Sequence, residues 1–157
     1  MSGVRLRRAD AADAAMLAAM ERECFSDPWS ERSFASVLEN PATLFIIAER
    51  GDDPSSVGYI GATVVADECE IINLAVMPEW RRRGIGSALA EKMLDICRKI
   101  SVNTVYLEHR ESNAAAAALY ASLGFRNYGT RRRYYTAPVE DAVLMSLKLT
   151  RTEEEQS

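Results

Sequence analysis

The sequence predicts a fold of the α/β class in which helices pack on a mixed sheet, as in α+β proteins. Three observations support this prediction. The chain has 157 residues, which is enough for one domain with its own core. Apolar runs rich in β-branched residues alternate along it with segments of helical periodicity. No internal repeat or linker divides it. We therefore expect a single domain over residues 1–150, followed by a polar, acidic and disordered tail at residues 151–157.

The first half of the chain predicts a strand, two helices and two further strands. Residues 4–9 alternate between apolar and basic side chains, as a strand does. Asp10 is placed to cap a first helix that ends near residue 25, and Ser30 is placed to cap a second, over residues 32–38. Strands are expected at residues 43–49 and 57–66, because both are apolar and a polar hairpin loop separates them.

Residues 71–86 combine a buried strand with a basic, glycine-bearing turn. The apolar run must end by Pro78, which cannot donate a ladder hydrogen bond. From Ile85 to about residue 100, apolar side chains recur at helical spacing. Between strand and helix stands Arg81-Arg82-Arg83-Gly84-Ile85-Gly86, where glycines allow close approach to backbone N–H groups and arginines supply positive charge. The turn therefore predicts a phosphate site, although it matches neither the dinucleotide fingerprint nor the Walker loop.

Four elements complete the predicted order. A short strand is expected at residues 104–108 and an alanine-rich helix at residues 114–122, with Gly124 as its left-handed cap. A strand at residues 125–135 carries the second arginine cluster. We then expect a loop at residues 136–141 and a last strand at residues 142–149, one face of which is exposed to solvent.

Composition and charge exclude several classes of function. The formal net charge of −4 argues against direct nucleic-acid binding. No apolar run is long enough to span a membrane, so we expect no membrane partner and a cytoplasmic location. The three cysteines show no paired spacing and are expected to be free thiols. His109 is the only histidine, so we expect no metal site and acid–base chemistry that rests on carboxylates and tyrosines.

The basic turn resembles the pyrophosphate-binding motif of the GNAT superfamily, the acyl-CoA-dependent N-acetyltransferases. Other segments are similar to the RimI-like branch of this superfamily, which acetylates N-terminal alanines of ribosomal proteins. Five segments carry this similarity: Phe25-Ser26-Asp27-Pro28-Trp29-Ser30, Leu107-Glu108-His109-Arg110-Glu111-Ser112-Asn113, the helical segment through Tyr120 and Phe125, Arg132-Arg133-Tyr134-Tyr135, and Glu140-Asp141-Ala142. The resemblance covers most of the chain. It implies the order β-α-α-β-β-β-α-β-α-β-β, with a V-shaped splay beside the central strand.

The resemblance also implies roles for individual residues. Glu108 is the expected general base and Tyr120 the general acid toward the CoA sulfur. Acetyl-CoA is the expected co-substrate, bound by Leu74, Ala75, Val76, Arg81, Arg82, Arg83, Gly84, Ile85, Gly86, Ser87 and Asn113. An acceptor N-terminus, expected from a ribosomal protein, would be bound by Trp29, Tyr134, Tyr135, Glu140 and Asp141.

Several alternatives stay open at this point. Glu108 also suits a surface ion pair, for instance with Arg110, and Tyr120 and the other aromatics also suit core packing. The enzyme alternative is a GNAT that acts on lysine or a small amine. The alternatives of another class are a non-catalytic acyl-CoA sensor or complex subunit, and an RNA contact through residues 131–133.

Overall fold

The computed structural model describes residues 3–51 and 55–149, so the tail expected at residues 151–157 lies outside the described residues. The strands are Val4–Arg8 (β1), Thr43–Arg50 (β2), Ser56–Val65 (β3), Glu68–Val76 (β4), Thr104–Arg110 (β5), Arg126–Thr136 (β6) and Val139–Lys148 (β7). The α-helices are Ala14–Cys24 (α1), Glu31–Glu39 (α2), Ile85–Lys99 (α3) and Ala114–Ser122 (α4). The predicted order of strands and α-helices is confirmed. Within the described ranges, none of the helices has the length and apolar character needed to cross a membrane.

The strands form one mixed sheet. They are hydrogen-bonded in the order β1-β2-β3-β4-β5-β7-β6, and β5 runs parallel to β4 and antiparallel to β7. The pairs between β4 and β5 begin at Glu68 with Thr104 and reach Ile71 with Leu107. This pairing stops before either strand ends.

Local sequence sets the ends of several elements. Asp10 accepts a hydrogen bond from the Ala12 N–H at 2.9 Å, and the Asp13 carboxylate accepts from the Asp10 N–H at 2.8 Å. This reciprocal cap opens a 3₁₀ turn that leads into α1, so the predicted cap is present but does not open the α-helix directly. Ser30 accepts from the Ser33 N–H at 3.1 Å and opens α2, as predicted. Gly124 follows α4 with a φ of +98°, which confirms its left-handed conformation.

The chain divides into two compact units, of which the first comprises Met1–Thr63 and Ile72–Met93. Its core contains an aromatic cluster in which the Phe34 ring centroid lies 6.1 Å from that of Phe45 and 5.9 Å from that of Tyr59. All three rings are almost fully buried. A Cβ added at Gly58 would lie 2.7 Å from the Ala75 carbonyl oxygen, so β3 requires a glycine where its backbone passes β4.

The second unit comprises Val64–Ile71 and Leu94–Ser157. Along β5 the side chains alternate, so that Val105, Leu107 and His109 are buried while Glu108 lies on the other face, half-buried. Tyr120 of α4 and Phe125 are also buried here, with their ring centroids 5.3 Å apart. The alternation of side chains along β5 thus places Glu108 on the face opposite to the apolar one, as the sequence predicts.

The prediction of a loop at residues 136–141 is wrong. β6 extends to Thr136 and β7 begins at Val139, so only Ala137 and Pro138 form the turn, with a cis peptide bond between them. Pro138 lacks an N–H donor, and the turn is a position where no ladder bond is needed. Glu140 therefore lies within β7, opposite Tyr135.

Candidate active site

The basic turn before α3 presents backbone donors to solvent. Arg82 and Gly84 both have positive φ, at 65° and 79°, and residues 81–84 are exposed. The first helical hydrogen bond runs from the Ala88 N–H to the Gly84 carbonyl at 3.0 Å. The N–H groups of residues 85–87 have no hydrogen-bond partner among the described residues, as is usual in a first helical turn. These donors and the neighbouring guanidinium groups can hold a phosphate or pyrophosphate.

Arg81 and Arg83 of this turn make different contacts within the protein. The Arg81 Nε donates to the Val76 carbonyl at 3.0 Å, which ties the turn back to the end of β4. The Arg83 guanidinium stacks on the Trp80 ring, 4.5 Å from its centroid.

The Val76 carbonyl also faces the Cys24 thiol at 3.5 Å, so a ligand contact by Val76 falls to its N–H. On the same strand, Leu74 is half-buried and Ala75 is buried.

Glu108 lies in a cluster of three polar side chains of the second unit. Its side chain is 21% exposed, and its Oε1 lies 3.6 Å from the Arg131 Nη1. A hydrogen bond to Glu108 raises the pKa of the Tyr134 phenol, and the Arg131 guanidinium lies 5.2 Å from the Tyr134 ring centroid. The suggested ion pair of Glu108 with Arg110 is not formed, because Arg110 pairs with Glu140 at 3.3 Å. The cluster can accept a proton at the Glu108 carboxylate.

Tyr120 and Asn113 are both positioned by α4. Tyr120 is 4% exposed, and burial raises the pKa of its phenol, so the hydroxyl keeps its proton at neutral pH. The Asn113 side chain accepts from the Ala116 N–H at 3.0 Å and caps the helix. The amide N–H groups of the Asn113 side chain stay available as donors to a ligand.

The residues expected to bind an acceptor fall into two groups. Trp29 belongs to the first unit, where it packs on Phe34 with ring centroids 5.3 Å apart. Tyr134, Tyr135, Glu140 and Asp141 belong to the β6–β7 hairpin of the second unit. Tyr134 is 44% exposed, and burial is the main cause that raises the pKa of Tyr135 to about 12. The two tyrosine rings meet edge to face at 5.0 Å.

Both acidic residues of the hairpin have partners within the protein. The Glu140 carboxylate accepts from the Ser112 N–H and from Arg110, and the Asp141 Oδ1 accepts from the Arg133 N–H at 2.9 Å. The hydroxyl and N–H of Ser112, with Arg110, hold the pKa of Glu140 below its ordinary value. A role of these carboxylates in acceptor binding stays a prediction.

A buried polar cluster in the first unit escaped the sequence analysis. Glu21 is 2% exposed and accepts hydrogen bonds from the Tyr59 hydroxyl, from the Asn73 amide at 3.0 Å and from the Trp29 N–H at 3.4 Å. Burial raises the pKa of Glu21. The one available signal was its position, one residue after Met20 on the apolar side of a helix. The cluster connects α1 to the backbone of Trp29.

Residues 14–125 match the sequence profile of the Acetyltransferase (GNAT) family, and the chain belongs to that family. It is 40% identical over 133 residues to ribosomal protein bS18-alanine N-acetyltransferase of Escherichia coli, covering 83% of this chain and 88% of that one. It is 38% identical over 140 residues to N-alpha-acetyltransferase RimI of Mycobacterium tuberculosis, covering 85% of each. The crystal structure of the ribosomal-protein-S18-alanine N-acetyltransferase from Escherichia coli matches with a TM-score of 0.88 and 35% identity, over 96% of this chain and 97% of that one. The predicted GNAT fold and the RimI-like resemblance are confirmed.

Proposed function

We propose that this chain is a cytoplasmic N-terminal protein acetyltransferase. It moves the acetyl group of acetyl-CoA to the α-amine of an N-terminal alanine on a small-subunit ribosomal protein, and other protein N-termini are further acceptors. The observation that carries the proposal is the Glu108 cluster, a carboxylate two residues before the end of β5 and beside two side chains of β6. The names of the relatives support the choice of acceptor.

Glu108 is assigned the removal of a proton from the acceptor amine, directly or through a water molecule. A free α-amine has a pKa of about 8, against about 10.4 for a lysine side chain. At neutral pH about a tenth of an α-amine is therefore uncharged, but far less than a hundredth of a lysine. A single carboxylate is sufficient for an N-terminus, which favours this acceptor over lysine.

Tyr120 is assigned the return of a proton to the departing sulfur. Acetyl-CoA supplies the activated thioester, and the turn at residues 81–87 with its N–H groups and arginines suits its pyrophosphate. The attack is direct, without a covalent enzyme intermediate. Burial raises the pKa of the Cys24 thiol, and a hydrogen bond to Cys97, together with burial, raises that of Cys69. Both thiols therefore stay protonated and are poor nucleophiles.

The test is a mass-spectrometric assay with acetyl-CoA and two short peptides. One peptide has a free N-terminal alanine and no lysine, and the other has a blocked N-terminus and one lysine. We expect acetylation of the first peptide alone. Acetylation of the second alone would overturn the assigned acceptor class.

If neither peptide reacts, calorimetric titration with acetyl-CoA separates the two remaining explanations. Binding without turnover on any protein N-terminus would favour a non-catalytic acyl-CoA sensor or complex subunit. Absence of binding would contradict the phosphate-binding role of the basic turn.

A further inference from the structure

Arg110 connects the end of β5 to the tip of the β6–β7 hairpin. Its Nη1 donates to the Pro138 carbonyl at 2.9 Å, and its Nη2 donates to the Ala137 carbonyl at 3.2 Å. Its guanidinium also lies 4.5 Å from the centroid of the Tyr135 ring. One side chain thus holds both carbonyls of the turn and one of the tyrosines expected to bind the acceptor.

Glu140 connects the same hairpin to the turn that precedes α4. Its Oε2 accepts from the Arg110 Nη1 at 3.3 Å, and its Oε1 accepts from the Ser112 N–H. The side chain is only 15% exposed. Both oxygens therefore accept a hydrogen bond from within the protein, one from β5 and one from the turn that follows it.

The turn at residues 111–113 is fixed from several sides. The Glu111 N–H donates to the Asp141 carbonyl at 3.1 Å, and the Asn113 N–H donates to the Arg110 carbonyl at 2.9 Å. Asn113 then caps α4. This turn leads from the strand that carries Glu108 to the helix that carries Tyr120, so its geometry sets where α4 begins.

We infer that Arg110 and Glu140 form a positioning pair that joins the acceptor-binding hairpin to the turn between Glu108 and Tyr120. This inference rests on the proposed function. Neither residue touches the reacting atoms in this assignment. Glu140 fixes the Ser112 N–H, Arg110 fixes the hairpin carbonyls, and their ion pair holds the two segments in one register. Loss of the pair displaces the acceptor site from the proton-transfer groups, and small displacements are costly to catalysis.

Three variants and a control measure this coupling by steady-state kinetics. Arg110→Ala, Glu140→Ala and the double variant should each lower kcat/KM for the acceptor peptide about tenfold or more. The double variant should be no worse than the more impaired single variant, because the two residues act as a unit. KM for acetyl-CoA should change less than kcat/KM for the acceptor peptide does. The control is Arg98→Ala, which removes an exposed pair with Asp95 at 3.5 Å and should have no effect.

A conservative variant and two peptides separate positioning from direct recognition. Glu140→Gln keeps an oxygen for the Ser112 N–H and should recover part of the lost activity. The two peptides share an N-terminal alanine and differ only in a neutral or basic second residue. A positioning role predicts equal losses on both for Glu140→Ala. A loss confined to the basic peptide would overturn the inference in favour of direct recognition. Additive losses in the double variant, or an equal loss of acetyl-CoA binding, would also overturn it.

Amide hydrogen exchange tests the pair without any acceptor. Glu140→Ala should speed exchange at residues 111–113, whereas Glu140→Gln should leave it near that of the wild-type protein. Unchanged exchange in Glu140→Ala would overturn the inference. If the wild-type protein acetylates neither peptide, the proposed function fails, and this measurement still decides whether the pair fixes the turn.

Discussion

The Glu108 carboxylate is oriented by two side chains of β6. Interaction with Glu108 raises the pKa of the Tyr134 phenol, and the Arg131 Nη1 lies 3.6 Å from the Glu108 Oε1. Because the Arg131 side chain is 58% exposed, this long ion pair adds little to stability. In the proposed function, the acceptor amine therefore displaces Arg131 from Glu108 at small energetic cost.

Replacing the two residues assigned proton transfer in the proposed function should separate catalysis from binding. We expect Glu108→Gln and Tyr120→Phe each to lower kcat about 100-fold or more, because each loses one acid–base step. Both changes preserve shape, so calorimetry should give an acetyl-CoA affinity close to that of the wild-type protein. If turnover is unchanged in both variants, Glu108 and Tyr120 do not have the assigned roles in proton transfer.

Glu21 should make stability depend on pH. Burial raises its pKa in the folded protein above the ordinary value of 4.5, so the unfolded chain loses this proton first as pH rises. Stability from this group is therefore present below about pH 4.5 and is lost as pH rises through the raised pKa.

Urea unfolding of the wild-type protein and Glu21→Gln at pH 4 and pH 7 measures this dependence. The glutamine is neutral at both values. The stability of the variant relative to the wild-type protein should therefore be greater at pH 7 than at pH 4. An equal difference at the two pH values would contradict the raised pKa.

The face of β5 on which Glu108 lies could be predicted from the sequence, whereas the Glu21 cluster could not, and the reason is physical. Strand alternation is a local property, so the face on which Glu108 lies follows from its neighbours. The partners of Glu21 are Tyr59 and Asn73, which lie 38 and 52 positions away in the chain. Burial of a charged side chain depends on such distant contacts, and no local pattern records them.

Among the elements, the turn before α3 combines an unusual backbone with an exposed position. Gly84 has a φ of +79°, and a Cβ added there would meet nothing within 4 Å. Gly84→Ala should therefore cost about 1 kcal/mol through backbone strain alone. It should also weaken acetyl-CoA binding if the turn holds the pyrophosphate.

Chemical unfolding and calorimetry measure the two effects, with Gly129→Ala as the matched control. A Cβ at Gly129 would meet Leu144 at an ordinary 3.7 Å, and its φ is not positive. We expect the control to keep both stability and affinity. If the two alanine variants behave alike, strain at Gly84 does not shape the turn.

The β6–β7 hairpin shows where element prediction fails. Polar residues and a proline predicted a six-residue loop, but both strands extend into it and only two residues turn. The register explains this, because Tyr135 pairs with Glu140 and Thr136 pairs with Val139. Strand ends depend on the partner strand, whereas the helix at Ala114–Ser122 has its own cap and was predicted with the observed bounds.

For the whole molecule, binding of the co-substrate should raise thermal stability. A ligand at 100 times its Kd adds about 2.7 kcal/mol when it binds only the folded chain. For a protein of this size that corresponds to roughly 5–10 °C in Tm. Differential scanning fluorimetry with acetyl-CoA should show this shift, and a variant with alanine at residues 81–83 should show a smaller one. Equal shifts in both proteins would exclude the arginines from binding.

His109 gives this chain a built-in spectroscopic reporter. It is the sole imidazole, is 6% exposed, and its Nδ1 lies 2.8 Å from the Arg110 carbonyl oxygen. That carbonyl also accepts the Asn113 N–H, so the ring shares an acceptor with the first residue of the α4 cap. A nuclear magnetic resonance spectrum of the ring would contain one set of signals that needs no assignment. Changes in that set on adding acetyl-CoA or peptide would report movement one residue away from the carboxylate assigned to take the proton.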